Sequence, residues 1–140
     1  MKSKSISSVI SLIESGNIIY EKAISNVDNK DIKRSLFDIY AIKKCAELKL
    51  KSLSKPSKPH KLIPDSYTIN ARRYCIEAEE ERGSANDSLY LEHLSGIEEK
   101  TIDDIAILSK QAPELRQKIT TIKREVEMCR HKINNLRSME

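Results

Sequence analysis

Residues 115–136 read LRQKITTIKREVEMCRHKINNL, and residues 32–53 read IKRSLFDIYAIKKCAELKLKSL. In the first stretch Leu115, Ile119, Ile122, Val126, Cys129, Ile133 and Leu136 recur at alternating steps of four and three. That spacing lines one face of an α-helix; a strand, whose side chains alternate with period two, would scatter them over both faces. In the second stretch Ile32, Leu36, Ile39, Lys43, Ala46, Leu50 and Leu53 take the same steps. An offset of 83 residues carries each onto its counterpart, Ile32 onto Leu115 and Leu53 onto Leu136. The one charged member of either stripe is Lys43, which stands where the first stretch has Val126.

The same period extends outward from these two stretches. Over residues 5–27, Ile6, Ile10, Ile13, Asn17, Tyr20, Ile24 and Val27 line one helical face. Gly16 interrupts that helix, costing ~1 kcal/mol relative to Ala. Asp28 reads as the N-cap of the next helix, with Asp31 three residues on. This second helix, 29–53, stops before Ser54-Lys55-Pro56-Ser57-Lys58-Pro59, where prolines disfavour helix. A shorter helix over 66–82 carries Tyr67, Ala71, Tyr74, Cys75 and Ala78, with Gly83 as its C-cap. Glu79, Glu80 and Glu81 at its C-terminus oppose the helix dipole and favour fraying. The next helix, 87–110, is capped by Asn86 or Asp87 and turns Leu91, Leu94, Glu98, Thr101, Ile105 and Leu108 inward, with a second phase through Leu94, Ile97, Thr101 and Leu108. The last begins near Pro113, an allowed first-turn position.

An offset of 84 residues matches Ile13-Glu14 to Ile97-Glu98, so the two helical hairpins read as copies of one unit. Their short turns make antiparallel neighbours, and residues 54–86 are enough chain to cross the bundle. The expected fold is all-α: a single domain over 1–140, with two antiparallel hairpins and a crossover containing a short fifth helix. Such a connection describes a ferritin-like four-helix bundle rather than a simple up-down-up-down one.

Composition agrees. A compact chain of 140 residues and 16.0 kDa buries roughly 68–70% of its unfolded surface, enough for a core without metals or disulfides. Only 4% aromatics and three glycines argue against sandwiches and barrels, and 39% hydrophobic residues against disorder. Lys and Arg number 25 against 21 Asp and Glu; a net charge of +4 is ordinary solubility charge, and no nucleic-acid partner is expected. Cys45, Cys75 and Cys129 form no C-x-x-C, which fits a reducing cytoplasm. Glu14 lies inside the first apolar stretch, so no signal peptide is read, and no apolar run reaches the ~18 residues of a membrane span.

A di-metal site in such a bundle takes one Glu from each of two helices and a Glu-x-x-His from each of the others. Glu14 and Glu98 are the candidate metal carboxylates: both are mid-helix, related by the repeat and beside the apolar stripe. The other two helices offer Ala41-Ile42-Lys43-Lys44-Cys45 and Arg124-Glu125-Val126-Glu127-Met128, without histidine. A cation is therefore read in place of a ligand. Lys43 either forms a buried ion pair with Glu14 or Glu98, or snorkels to solvent along its aliphatic stem. No cofactor is expected, with di-iron or another divalent metal as the alternative. Glu127 and His131 read as a surface pair, and His60, His93 and His131 as surface histidines. Cys45 and Cys129 read as small core residues and Cys75 as partly exposed. The lysine-rich stretch 49–61 reads as a solvated linker, with anion binding as its alternative. Tyr67 and Tyr74 flank Arg72 and Arg73, either a ligand patch or packing of the crossover helix. Ile18, Ile19, Phe37, Tyr40 and Ile76 fall off the stripes and mean either a broad core or a dimer face.

Four segments carry a resemblance: Tyr20-Glu21-Lys22-Ala23, the Asp28-led turn, Cys45-Ala46-Glu47-Leu48 and Pro113-Glu114-Leu115. Through them the chain resembles an uncharacterised four-helix-bundle (domain of unknown function) family of the ferritin-like superfamily. The resemblance covers most of the chain and implies a bacterial, cytoplasmic bundle with no established activity. From the wider superfamily it carries over only Glu14 and Glu98, as metal carboxylates; the missing Glu-x-x-His pairs speak against iron oxidation or storage. The expected function is non-enzymatic, through an unknown protein partner or a homodimer, without nucleic acid or membrane. The alternative is an atypical metal-binding bundle using Glu14 and Glu98.

Overall fold

The computed structural model describes residues 5–53 and 67–138. Within them the chain forms five α-helices and no strand: α1 Ile6–Asn26, α2 Lys30–Leu53, α3 Tyr67–Glu81, α4 Asp87–Gln111 and α5 Arg116–Ser138. A 3-10 turn, Pro113–Leu115, leads into α5.

Local chemistry sets the ends. Ser5 accepts from the Ser8 amide at 3.0 Å while Ser8 reaches back to the Ser5 amide, a reciprocal cap on α1. The cap of α2 is Asn29 rather than the expected Asp28: its side-chain oxygen accepts from the amides of Asp31 and Ile32 at 2.8 and 3.0 Å. The amides of Asp28 and Asn29 instead donate to Asp87 across the molecule, at 2.8 and 3.0 Å. Asn86 caps α4 through the Leu89 amide. Gly83 closes α3 with φ +73°, and the Ser84 and Gly83 amides donate to the Glu79 and Glu80 carbonyls. At the glutamate-rich end of α3, Glu80 pairs with Lys22 on α1, and Arg82 with Glu79.

The four long helices pack in a ring. α1 lies against α2 and α4, and α5 lies against the same two helices from the opposite corner. Neighbours run antiparallel. Glu14 meets Lys51 and Glu21 meets Tyr40 between α1 and α2, Lys49 meets Glu125 between α2 and α5, and Ser95 meets Asn134 between α4 and α5. α2 and α4, on one diagonal, therefore run the same way, and the connection between them has to regain the bundle's length. α3 is part of that connection and lies on α1 and α4. Gly16 lets α1 and α4 approach: a Cβ there would stand 2.9 Å from Ile97 Cγ2.

The stripes read from the sequence are the core. Ile10, Ile13, Tyr20, Leu36, Ile39, Leu91, Leu94, Ile105, Ile119 and Ile133 are fully buried. α3 differs from expectation. Its inward residues are Ile69 and Ile76, while Ala71 and Tyr74 face solvent; Cys75 is exposed, in line with its reading as a partly exposed residue. Ile19 is buried too, in the same cluster as Ile69 and Ile76. Cys45 is exposed, not a core residue, because the stripe runs through its neighbour Ala46.

Candidate functional site: a charged layer in the bundle core

The apolar core is two clusters. One gathers Ile19, Leu36, Leu91 and Ile133 towards the α1–α2 turn; the other gathers Ile10, Leu50, Ile105 and Ile122 towards the opposite end. Near their boundary each long helix contributes a residue with a polar head: Tyr20 from α1, Lys43 from α2, Glu98 from α4 and Cys129 from α5. All four are fully buried.

Lys43 Nζ donates to Glu98 Oε1 at 2.6 Å, along the α2–α4 diagonal, with both side chains at 0% exposure. Tyr20 donates its hydroxyl to the other oxygen, Oε2, at 2.5 Å. The carboxylate thus accepts one charged and one neutral hydrogen bond, which offsets the cost of taking it out of water. Burial, and then the Glu98 charge, hold the Tyr20 hydroxyl protonated well above the usual tyrosine range. Burial and Glu98 likewise push the Cys129 thiol up to about 12, against the opposing pull of Lys43. Both groups are neutral hydrogen-bonding or packing groups at neutral pH.

A second polar cluster leads outward between α1 and α2. Asn17 donates to Glu47 Oε1 at 2.9 Å, and Lys51 binds Glu47 at 2.8 Å and Glu14 at 3.1 Å. Burial alone would raise the Glu47 carboxyl, but hydrogen bonds from Lys51 and Asn17 outweigh it and hold the group below its usual range. Lys43 therefore lies inside with Glu98, and Glu14 outside on Lys51, with its side chain 36% exposed. Snorkelling, the other reading of Lys43, is not what the structure shows. Glu14 and Glu98 belong to separate networks, and no group of three or more His, Cys, Asp or Glu among the described residues could hold a metal ion.

The remaining candidates fall elsewhere. Glu127 pairs with Lys123 at 3.4 Å, not with His131, which is exposed. His93 is half-buried rather than a surface residue: its Nδ1 lies 3.2 Å from Arg72 Nη1, and the Arg72 head rests over Gly96, where a Cβ would stand 2.3 Å away. Burial, then the Arg72 charge, lower the His93 pKa below 6.5. Arg73 stacks on the exposed Tyr74 ring at 5.3 Å. Of the basic stretch, Lys49 and Lys51 are in ion pairs; residues 54–66, with His60, and the Tyr67 side chain lie outside the description.

Tyr20 and Glu47 are the partners that the sequence reading missed. Tyr20 was visible as the large hydroxyl in the α1 stripe, and Asn17 in the same stripe signalled that a polar partner such as Glu47 had to face it. No family model, no curated protein and no solved structure matches the chain.

Proposed function

We propose that the chain is a ferritin-like bundle in which the Lys43 ammonium takes the central place of a metal, and that it works through protein contacts rather than catalysis. One observation carries this: a lysine and a glutamate, each at 0% exposure, meet at 2.6 Å in the middle of the bundle. The ring of antiparallel neighbours with a return connection supports the ferritin-like assignment. The ammonium already neutralises the carboxylate that a metal would need, and a second cation there would meet Lys43 in a low-dielectric interior. Groups without solvent access cannot touch a substrate while the bundle is closed. The exposed thiols of Cys45 and Cys75 fit a reducing compartment, and no helix among the described residues is long and apolar enough to cross a membrane.

Elemental analysis of protein purified without chelator tests the proposal. Iron, manganese and zinc are expected well below one per chain, unchanged in a Glu98→Gln variant. A stoichiometric metal that disappears with Glu98 or Glu14 would overturn it.

A further inference from the structure

The net charge of +4 conceals a strong segregation. Helices α2 and α5, adjacent in the ring, carry fourteen Lys and Arg against five Asp and Glu. Helices α1, α3 and α4 carry five Lys and Arg against twelve Asp and Glu. The molecule is basic on one side and acidic on the other.

Large exposed apolar side chains accompany both signs. Phe37, Leu48 and Met128, at 58%, 62% and 48% exposure, lie on the basic helices; Ile18 and Tyr74, at 44% and 61%, lie on the acidic ones. The groove between α1 and α4 is occupied by α3, whose Ile69 and Ile76 are buried there. The groove between α2 and α5 has no such cover among the described residues. It holds a hollow of about 350 Å³ with Leu53 and Ile122 in its lining and Lys49 and Lys118 beside them.

We infer that copies of this chain associate head to tail, the basic α2–α5 face of one seated against the acidic α1–α3–α4 face of the next. The inference rests on the non-catalytic reading above and names its partner. Opposite charge orients the encounter, and Met128 with the Leu53–Ile122 hollow on the basic face, and Tyr74 of α3 on the acidic one, supply apolar area that becomes dry. A symmetric contact of the basic face with itself would oppose like charges. A nucleic acid would match the lysines and arginines but leave Met128 and the Leu53–Ile122 hollow without apolar partners. Because the two faces differ, the contact is heterologous and yields chains or rings rather than a closed pair.

Analytical ultracentrifugation of the full chain tests this with two variants. Lys118→Glu/Lys132→Glu reverses exposed charges on the basic face; Glu99→Lys/Asp103→Lys does so on the acidic face. Circular dichroism confirms that each is folded. The wild type is expected to gain mass with concentration at low salt and to return to single chains near ~1 M salt, where the screening length is about 3 Å. Each variant alone should associate at least about tenfold more weakly, while an equimolar mixture should regain association, since each retains the face that the other has lost. A wild type that stays a single chain at low salt overturns the inference, as does an acidic-face variant that associates like the wild type. Salt-dependent binding of a duplex DNA, lost in the basic-face variant, by a chain that does not self-associate would assign the basic face to nucleic acid instead. A single, metal-free chain removes this inference alone; stoichiometric metal removes the metal-free bundle, whatever the association shows.

Discussion

At the scale of the residue, Lys43 and Glu98 depend on each other. Removing the ammonium in Lys43→Met strands a buried carboxylate and is expected to lower stability by about 3–5 kcal/mol in urea titrations. Replacing the whole polar set, Lys43→Met with Glu98→Leu and Tyr20→Phe, should recover most of that loss, since an apolar layer owes nothing to desolvation. A single variant as stable as the wild type would show that the pair is not buried in solution. Lys43 was legible in the sequence because a charge in an unbroken apolar stripe must be answered. Which glutamate answers it was less so. The repeat sets Glu14 beside Glu98, but stripe against stripe Glu98 stands at the position of Ile13. The one-residue difference turns Glu14 out to Lys51.

At the scale of the element, α3 is the least securely read. Its fifteen residues carry apolar side chains on two faces, and periodicity could not choose between them. Packing chose Ile69 and Ile76, both β-branched, over the small and amphipathic Ala71, Tyr74 and Cys75. Arg72 adds a polar hold by resting on Gly96 beside His93. Gly96→Ala should displace the Arg72 head, so the His93 pKa should rise towards 6.5 by NMR titration, and α3 amides should exchange faster while α4 stays protected. The same histidine gives α3 docking a pH dependence. Folding lowers its pKa, so its contribution is full above about pH 6.5 and is lost as pH falls through the folded value. His93→Gln should flatten the fall in stability over that window; an unchanged slope would place the acid sensitivity in other groups.

At the scale of the whole molecule, heptad spacing and turn chemistry carried the all-α architecture, the helix order and the crossover. Charge segregation was invisible in the net figure, because it follows from which helices become neighbours, not from how many charges the chain has. The buried layer also sets a limit at alkaline pH. Folding raises the pKa of both Tyr20 and Cys129, so their contribution is full below their ordinary values and is lost as pH climbs past about 9 to 10. Thermal midpoints should fall over that range, and less steeply in Cys129→Ala; a flat profile would mean that water reaches the layer.

A chain whose two hairpins carry apolar stripes at matching spacing faces an ambiguity of arrangement. With apolar stripes so alike, α2 and α5 could trade corners at little loss of contact. The diagonal between α2 and α4 breaks that tie, since in an exchanged arrangement Val126 would confront Glu98 and leave its charge unanswered. Erasing the charge is expected to keep stability while dissolving uniqueness: the all-apolar triple variant is where doubled NMR peaks should first be sought.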